Sequence, residues 1–206
     1  MVKVKICGIT SLADALLAAA AGADLLGFNF YPRSPRFVEP RLVREILSEL
    51  SATFPIMPVG VFVNERAETV REIAAMSGVR MVQLHGDESP EFCRELNLRV
   101  IKALRVGAAA DAKKAASYAV EALLVDSQTP VFGGSGVRPD WAVAETIARR
   151  FPRVLLAGGL TPDNVAAAIS TVKPWGVDVA SGVEKEPGVK DPELVRRFIE
   201  AATAAP

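Results

Sequence analysis

The sequence is short of the residues on which several kinds of chemistry depend. Of its 206 residues only two are cysteine, Cys7 and Cys93, and they share no CxxC spacing. A disulfide framework and a cysteine-based metal cluster are therefore not expected, and a reducing compartment such as the cytoplasm fits. There is one histidine, His85, and the carboxylates are scattered, so no metal site is expected. Net charge is also missing: 24 Lys and Arg balance 24 Asp and Glu. Without a positive field, neither nucleic acid nor an anionic membrane surface is an expected partner, and any anionic ligand has to be gripped locally. The longest apolar stretch, LLAAAAGADLLGF, is broken by Gly22 and Asp24 and is too short to span a bilayer. No apolar run follows a basic stretch near the start, so no secretory leader is expected.

What the chain does have is alternation. Half of its residues (50%) are hydrophobic, enough for a sizeable core. Strand-length apolar runs fall at 2–6, 24–28, 56–62, 80–84, 99–104, 121–126, 153–157 and 176–180. Most are near-continuous Val, Leu and Ile, as expected of parallel strands buried on both faces. Helix signals lie between them. Ser11 to Asp14 reads as a capping box closed by Gly22. Asn64 is a candidate cap for the helix bearing Val70, Ile73 and Ala74. Ser89-Pro90, Thr161-Pro162 and Asp191-Pro192 each place a capping residue before a proline. Eight strand–helix units of about 26 residues predict one (β/α)₈ TIM barrel over residues 1–206. A doubly wound open sheet is the alternative, but the turn after the first strand, Cys7-Gly8-Ile9-Thr10, lacks the GxGxxG fingerprint.

A barrel of this kind does its chemistry at the C-terminal ends of its strands. There the chain places Cys7, the YPRSPRFV loop with Arg33 and Arg36, His85, Asp126, Gly158-Gly159 and Asp178 with Ala180, Ser181 and Gly182. Glycines after the seventh and eighth strands, with a short helix expected near 182–185, suit a phosphate, although glycine also simply turns a chain. Pro35 stiffens a loop whose arginines can fork a carboxylate or merely face solvent. Asp126 closes an apolar strand; left unpaired there it is desolvated, which suits a general acid, and a loop-capping role is the alternative. Asp178 can orient a hydroxyl or brace a loop, and His85 can act chemically or pack within its turn. Cys7 is either a small core residue or a nucleophilic thiol. Cys93, beside Phe92 and Leu96, reads as core.

The strand-end motifs VKICGIT, FYPRSPRFV, VGVFVN, VQLHGDE, VIKAL, LAGGLTPDNV and GVDVASGVE with PGVKD resemble those of phosphoribosylanthranilate isomerase from residue 3 to about 191. The resemblance implies an aldose–ketose isomerase of tryptophan biosynthesis, working on a phosphosugar without cofactor or metal, as a monomer or homodimer. It implies Cys7 as general base, Asp126 as general acid and Arg36 on the anthranilate carboxylate, with phosphate at Gly158, Gly159, Ala180, Ser181 and Gly182. Asp178, His85, Gly134 and Ser135 are further substrate-site candidates. Two departures from the family pattern matter. Ala180 replaces a serine, so any phosphate contact there comes from backbone N–H. Pro139 and a missing phenylalanine alter the glycine-rich loop holding Gly134 and Ser135. Two other readings keep the same barrel: isomerisation of a related two-phosphate aminoaldose, and phosphate-ligand binding without turnover.

Overall fold

In the computed structural model, which describes residues 1–51, 53–106, 111–127 and 140–205, all eight expected strands form. They are β1 (Lys3–Cys7), β2 (Leu25–Asn29), β3 (Met57–Phe62), β4 (Met81–Leu84), β5 (Val100–Val106), β6 (Ala122–Ser127), β7 (Val154–Leu156) and β8 (Gly176–Val179). Each pairs in parallel with the next, and β8 pairs with β1, closing the barrel. The helices between them are α1 (Leu12–Ala21), α2 (Pro40–Ser51), α3 (Ala67–Ser77), α4 (Pro90–Glu95), α5 (Asp111–Ala115), α6 (Trp141–Ala148), α7 (Val165–Val172) and α8 (Pro192–Thr203). A 3₁₀ turn (Ser181–Val183) follows β8, and a small antiparallel ribbon of β9 (Glu184–Glu186) and β10 (Val189–Lys190) leads into α8.

Side chains alternate across each strand, so one parity faces the helices and the other the lumen. Val4 and Ile6 of β1 belong to the apolar layer between sheet and helices. A separate apolar plug, including Leu25, Val59, Met81, Ile101, Leu124 and Leu155, fills the lumen. Lys5 and Cys7 share the lumen parity, with Lys5 fully buried.

The caps explain why the helices start where they do. Ser11 Oγ accepts from the Asp14 N–H at 3.1 Å, and Gly22 (φ 104°) ends α1. Asp14 leaves the other half of the expected capping box unused and instead accepts from the Lys190 N–H at 3.3 Å. Ser89 caps α4 and Asp191 caps α8, as expected. Two caps differ from expectation. Arg66, not Asn64, precedes α3, because Asn64 Oδ1 is taken by the Asp87 N–H at 2.7 Å. Thr161-Pro162 starts a turn and α7 begins only at Val165, because Asn164 folds back into the preceding loop. No helix among the described residues is long and apolar enough to cross a membrane.

Candidate active site

Every strand-end candidate that lies among the described residues lines one cavity of about 420 Å³. Cys7, Arg33, Arg36, His85, Asp126, Gly158, Gly159, Asp178, Ala180, Ser181 and Gly182 all border it. Gly134 and Ser135 lie outside the described residues. Cys7 ends β1 and Asp126 lies near the end of β6, three strands apart through β7 and β8, so the thiol and carboxyl approach the cavity from different arcs.

Loops seven and eight meet backbone to backbone. Gly158 and Gly159 both have positive φ, 87° and 60°. Asn164 clips this loop, its Nδ2 donating to the Gly159 carbonyl and its Oδ1 accepting from the Thr161 N–H, each at 2.9 Å. Gly182 sits so close that a Cβ there would stand 1.9 Å from the Leu160 carbonyl oxygen, so only glycine fits. Ala180 supplies no hydroxyl, and its carbonyl is 3.5 Å from Lys190 Nζ.

The arginine loop is held from both ends. Ser34 Oγ accepts from Asn29 Nδ2 at 3.0 Å and from the Arg36 N–H at 3.1 Å. Arg36 lies across Gly8 (φ 78°), where a Cβ would come within 2.5 Å of its Cδ. Its Nε and Nη2 grip Glu184 at 2.9 and 2.7 Å, and Lys190 Nζ holds the same carboxylate at 2.7 Å. Hydrogen bonding to Glu184 keeps Arg36 above its ordinary pKa, and Nη1 remains available to a ligand. Burial works against the Glu184 charge, but Arg36 and Lys190 outweigh it and hold that carboxyl below the usual range. Lys190 also donates to the Cys7 carbonyl at 2.6 Å, tying the arginine clamp to the backbone of the thiol.

Asp126 does not end β6 as an isolated carboxyl. His85 Nε2 stands 3.3 Å from its Oδ2, and Gln83 Nε2 donates to His85 Nδ1 at 2.8 Å. That amide orientation puts the imidazole proton on Nε2, facing Asp126. Gln83 Oε1 is buried with no hydrogen-bond partner. The turn carrying His85 is pinned by Lys102, whose Nζ donates to Leu84 O, Gly86 O and Glu88 Oε2 at 3.1, 2.7 and 2.8 Å. Among the described residues no group of three His, Cys, Asp or Glu side chains is placed to hold a metal.

A thiol, a histidine-paired carboxyl, an anchored arginine and two interlocked glycine loops in one barrel mouth are a specific combination, and the whole chain agrees with it. The family model described as N-(5′-phosphoribosyl)anthranilate isomerase matches residues 4–201. The chain belongs to the N-(5′-phosphoribosyl)anthranilate isomerase family. An N-(5′-phosphoribosyl)anthranilate isomerase from Geotalea uraniireducens is 49% identical over 203 residues, covering 98% of each chain. The crystal structure of the phosphoribosyl anthranilate isomerase of Thermotoga maritima superposes with a TM-score of 0.92 at 45% identity, covering 98% of this chain and 99% of that one. A second crystal structure, of a phosphoribosyl anthranilate isomerase in complex with reduced 1-(o-carboxyphenylamino)-1-deoxyribulose 5-phosphate, superposes at 0.88 with 42% identity, covering 98% and 99%.

For an N-(5′-phosphoribosyl)anthranilate isomerase family member, the sequence reading missed Lys5, Gln83, Glu184 and Lys190. Lys5 Nζ meets Asp178 Oδ1 at 2.8 Å inside the lumen. One signal was available for it: Lys5 has the parity of Cys7, and in a closed barrel that parity faces inward. Nothing local marks Glu184 and Lys190, whose ligands come from β1 and the loop after β2.

Proposed function

We propose that the chain converts N-(5′-phosphoribosyl)anthranilate into 1-(2-carboxyphenylamino)-1-deoxyribulose 5-phosphate in tryptophan biosynthesis, with Asp126 as general acid and Cys7 as general base. The observation that carries this reading is the shared cavity, with Arg36 and the glycine loops available for the substrate's two anionic ends. Backbone N–H groups of Gly158, Gly159, Ala180, Ser181 and Gly182 take the phosphate. Arg36 Nη1 takes the anthranilate carboxylate. Asp126 then protonates the furanose ring oxygen as its bond to C1 breaks, leaving a protonated Schiff base. Cys7 thiolate removes the C2 proton, and the C–H electrons form a C1–C2 double bond that neutralises the nitrogen. The resulting enolamine tautomerises to the ketone by losing its enol proton and gaining one at C1.

His85 and Gln83 fit the needs of an acid at Asp126. With the proton on Oδ1, Asp126 gives it to the substrate while Oδ2 goes on accepting from the His85 Nε2–H. The Gln83 amide, donating to Nδ1, keeps the imidazole proton on Nε2 for that contact.

Loss of substrate fluorescence on mixing with the purified protein tests the reaction, with the related two-phosphate aminoaldose as comparison substrate. Turnover of the first compound is expected, and its absence overturns the reading. Arg36→Met is expected to raise KM about 10- to 100-fold with a smaller change in kcat, since a charge-assisted hydrogen bond is worth about 1.5–3 kcal/mol. Steady-state kinetics with and without the anthranilate carboxylate on the substrate separate this from a general loss of fold.

A further inference from the structure

The proposed reaction needs a thiolate, and a thiol partly withdrawn from water resists ionising. Burial pushes Cys7 above the ordinary cysteine pKa, and Asp178 adds to the effect, whereas Lys5 and Lys190 pull it back. The question is what supplies positive charge at the sulfur itself. Among the described residues, Lys5 is the cation that shares the lumen face of β1 with Cys7. Lys5 is fully buried beneath Cys7 on the same face of β1 and lies deeper in the barrel than the residues of the proposed acid–base mechanism. Its Nζ is 2.8 Å from Asp178 Oδ1 and near enough to Cys7 Sγ for its charge to favour the thiolate. Gly27, opposite Cys7 in the β1–β2 register, leaves the space in which the two groups meet. A Cβ at Gly27 would stand 2.7 Å from Cys7 Sγ and 3.0 Å from Lys5 Nζ.

We infer that Lys5 is the positioning residue that makes Cys7 a usable base: its ammonium, oriented by Asp178 and admitted by Gly27, donates to Sγ and stabilises the thiolate. The inference rests on Cys7 being the base, and its test does not. The other charged groups near Cys7 are accounted for. Lys190 on β10 donates to the Cys7 carbonyl and is shared with Glu184 on β9, and Arg36 from the loop after β2 is spent largely on Glu184. No charged side chain comes from β2 itself, which presents Gly27. Desolvation opposes charge on Lys5, but Asp178 and Cys7 outweigh it and favour the ammonium.

The sign follows from the arrangement. Lys5 favours the thiolate and Asp178 opposes it, although the two belong to one ion pair. Lys5→Met and Asp178→Asn break the same bridge, yet they are expected to move Cys7 in opposite directions. A contacting charge moves a titration midpoint by about 1–3 pH units. Alkylation of Cys7 by iodoacetamide, followed by mass spectrometry of its peptide in the free, folded protein, reads that midpoint. Below it, Lys5→Met is expected to slow alkylation about 10- to 1000-fold, and Asp178→Asn to accelerate it. The acid limb of the kcat/KM profile is expected to move to higher pH in Lys5→Met. If Lys5→Met does not fold, Lys5→Gln, which keeps a donor and loses the charge, takes its place and is likewise expected to slow alkylation. Unchanged alkylation, or a change of the same sign in both variants, overturns it. Full activity in Cys7→Ala would instead remove the base assignment and leave the thiol–lysine coupling standing.

Discussion

Cys7→Ala and Asp126→Asn are each expected to lower kcat by at least about 100-fold while KM changes only a few-fold. A positioned general acid or base is worth about 10²–10⁴ in rate. In the proposed reaction neither side chain holds the anionic ends of the substrate, which are assigned to Arg36 and to the backbone of the two glycine loops. The loss therefore belongs in the chemical step, and it appears equally in kcat and kcat/KM. Both substitutions are small. Cys7 is only partly buried, and asparagine at 126 retains an oxygen for the His85 N–H. Thermal unfolding should accordingly stay near that of the parent protein, and single-turnover measurements should show substrate bound but unreacted. Near-parental kcat in either variant sinks the acid–base assignment.

Lys102→Met is expected to lower the midpoint of thermal unfolding by about 6–20 °C. Lys102 and Glu88 form an ion pair in which both side chains are almost completely shielded from water, 2% and 3% exposed. Removing one member of such a pair leaves the other charge buried and costs about 3–5 kcal/mol. For a chain of this size each kcal/mol moves the midpoint by about 2–4 °C. The substitution also frees the carbonyls of Leu84 and Gly86 on either side of His85. Adding Glu88→Gln should restore part of the loss. It removes the stranded charge and keeps an oxygen for the Asn64 and Gly86 N–H groups, which Glu88 Oε1 now serves. Circular dichroism melts of the single and double variants check this, and a single variant within about 2 °C of the parent contradicts it.

Much of the architecture was legible because a parallel barrel writes itself twice, in buried apolar strands and in capped helices. The eight strands lie within one or two residues of the runs read from the sequence. That Cys7, Arg36, Asp126 and Asp178 share one cavity was legible for a simpler reason: they lie at strand ends or on the loops that follow them, where the fold concentrates chemistry. Other features depended on contacts across the chain. Asn64 looked like a cap by type and position, but the turn after β4 claims its oxygen. Asp126 read as desolvated unless paired, and a partner is His85, 41 residues away in sequence. Lys5 looked like half of a polar–apolar alternation. Only closure of the barrel turns that polar face inward, against an aspartate 173 residues further along.

That last separation also sets an order of events during synthesis. Lys3, Val4, Lys5 and Ile6 of the first strand pair with residues 176 to 179 of the last, so the seam is the most distant contact in the barrel. Contacts of long sequence separation carry the largest loop-closure entropy and tend to form late. A nascent chain still lacking β8 carries Cys7 on an open sheet edge, without Asp178, Glu184 or Lys190 beside it. Such an edge is a template for unwanted pairing. The Cys7 thiol is thus made first and enclosed last, and the chain passes through most of its synthesis with the means of aggregation before its barrel is closed.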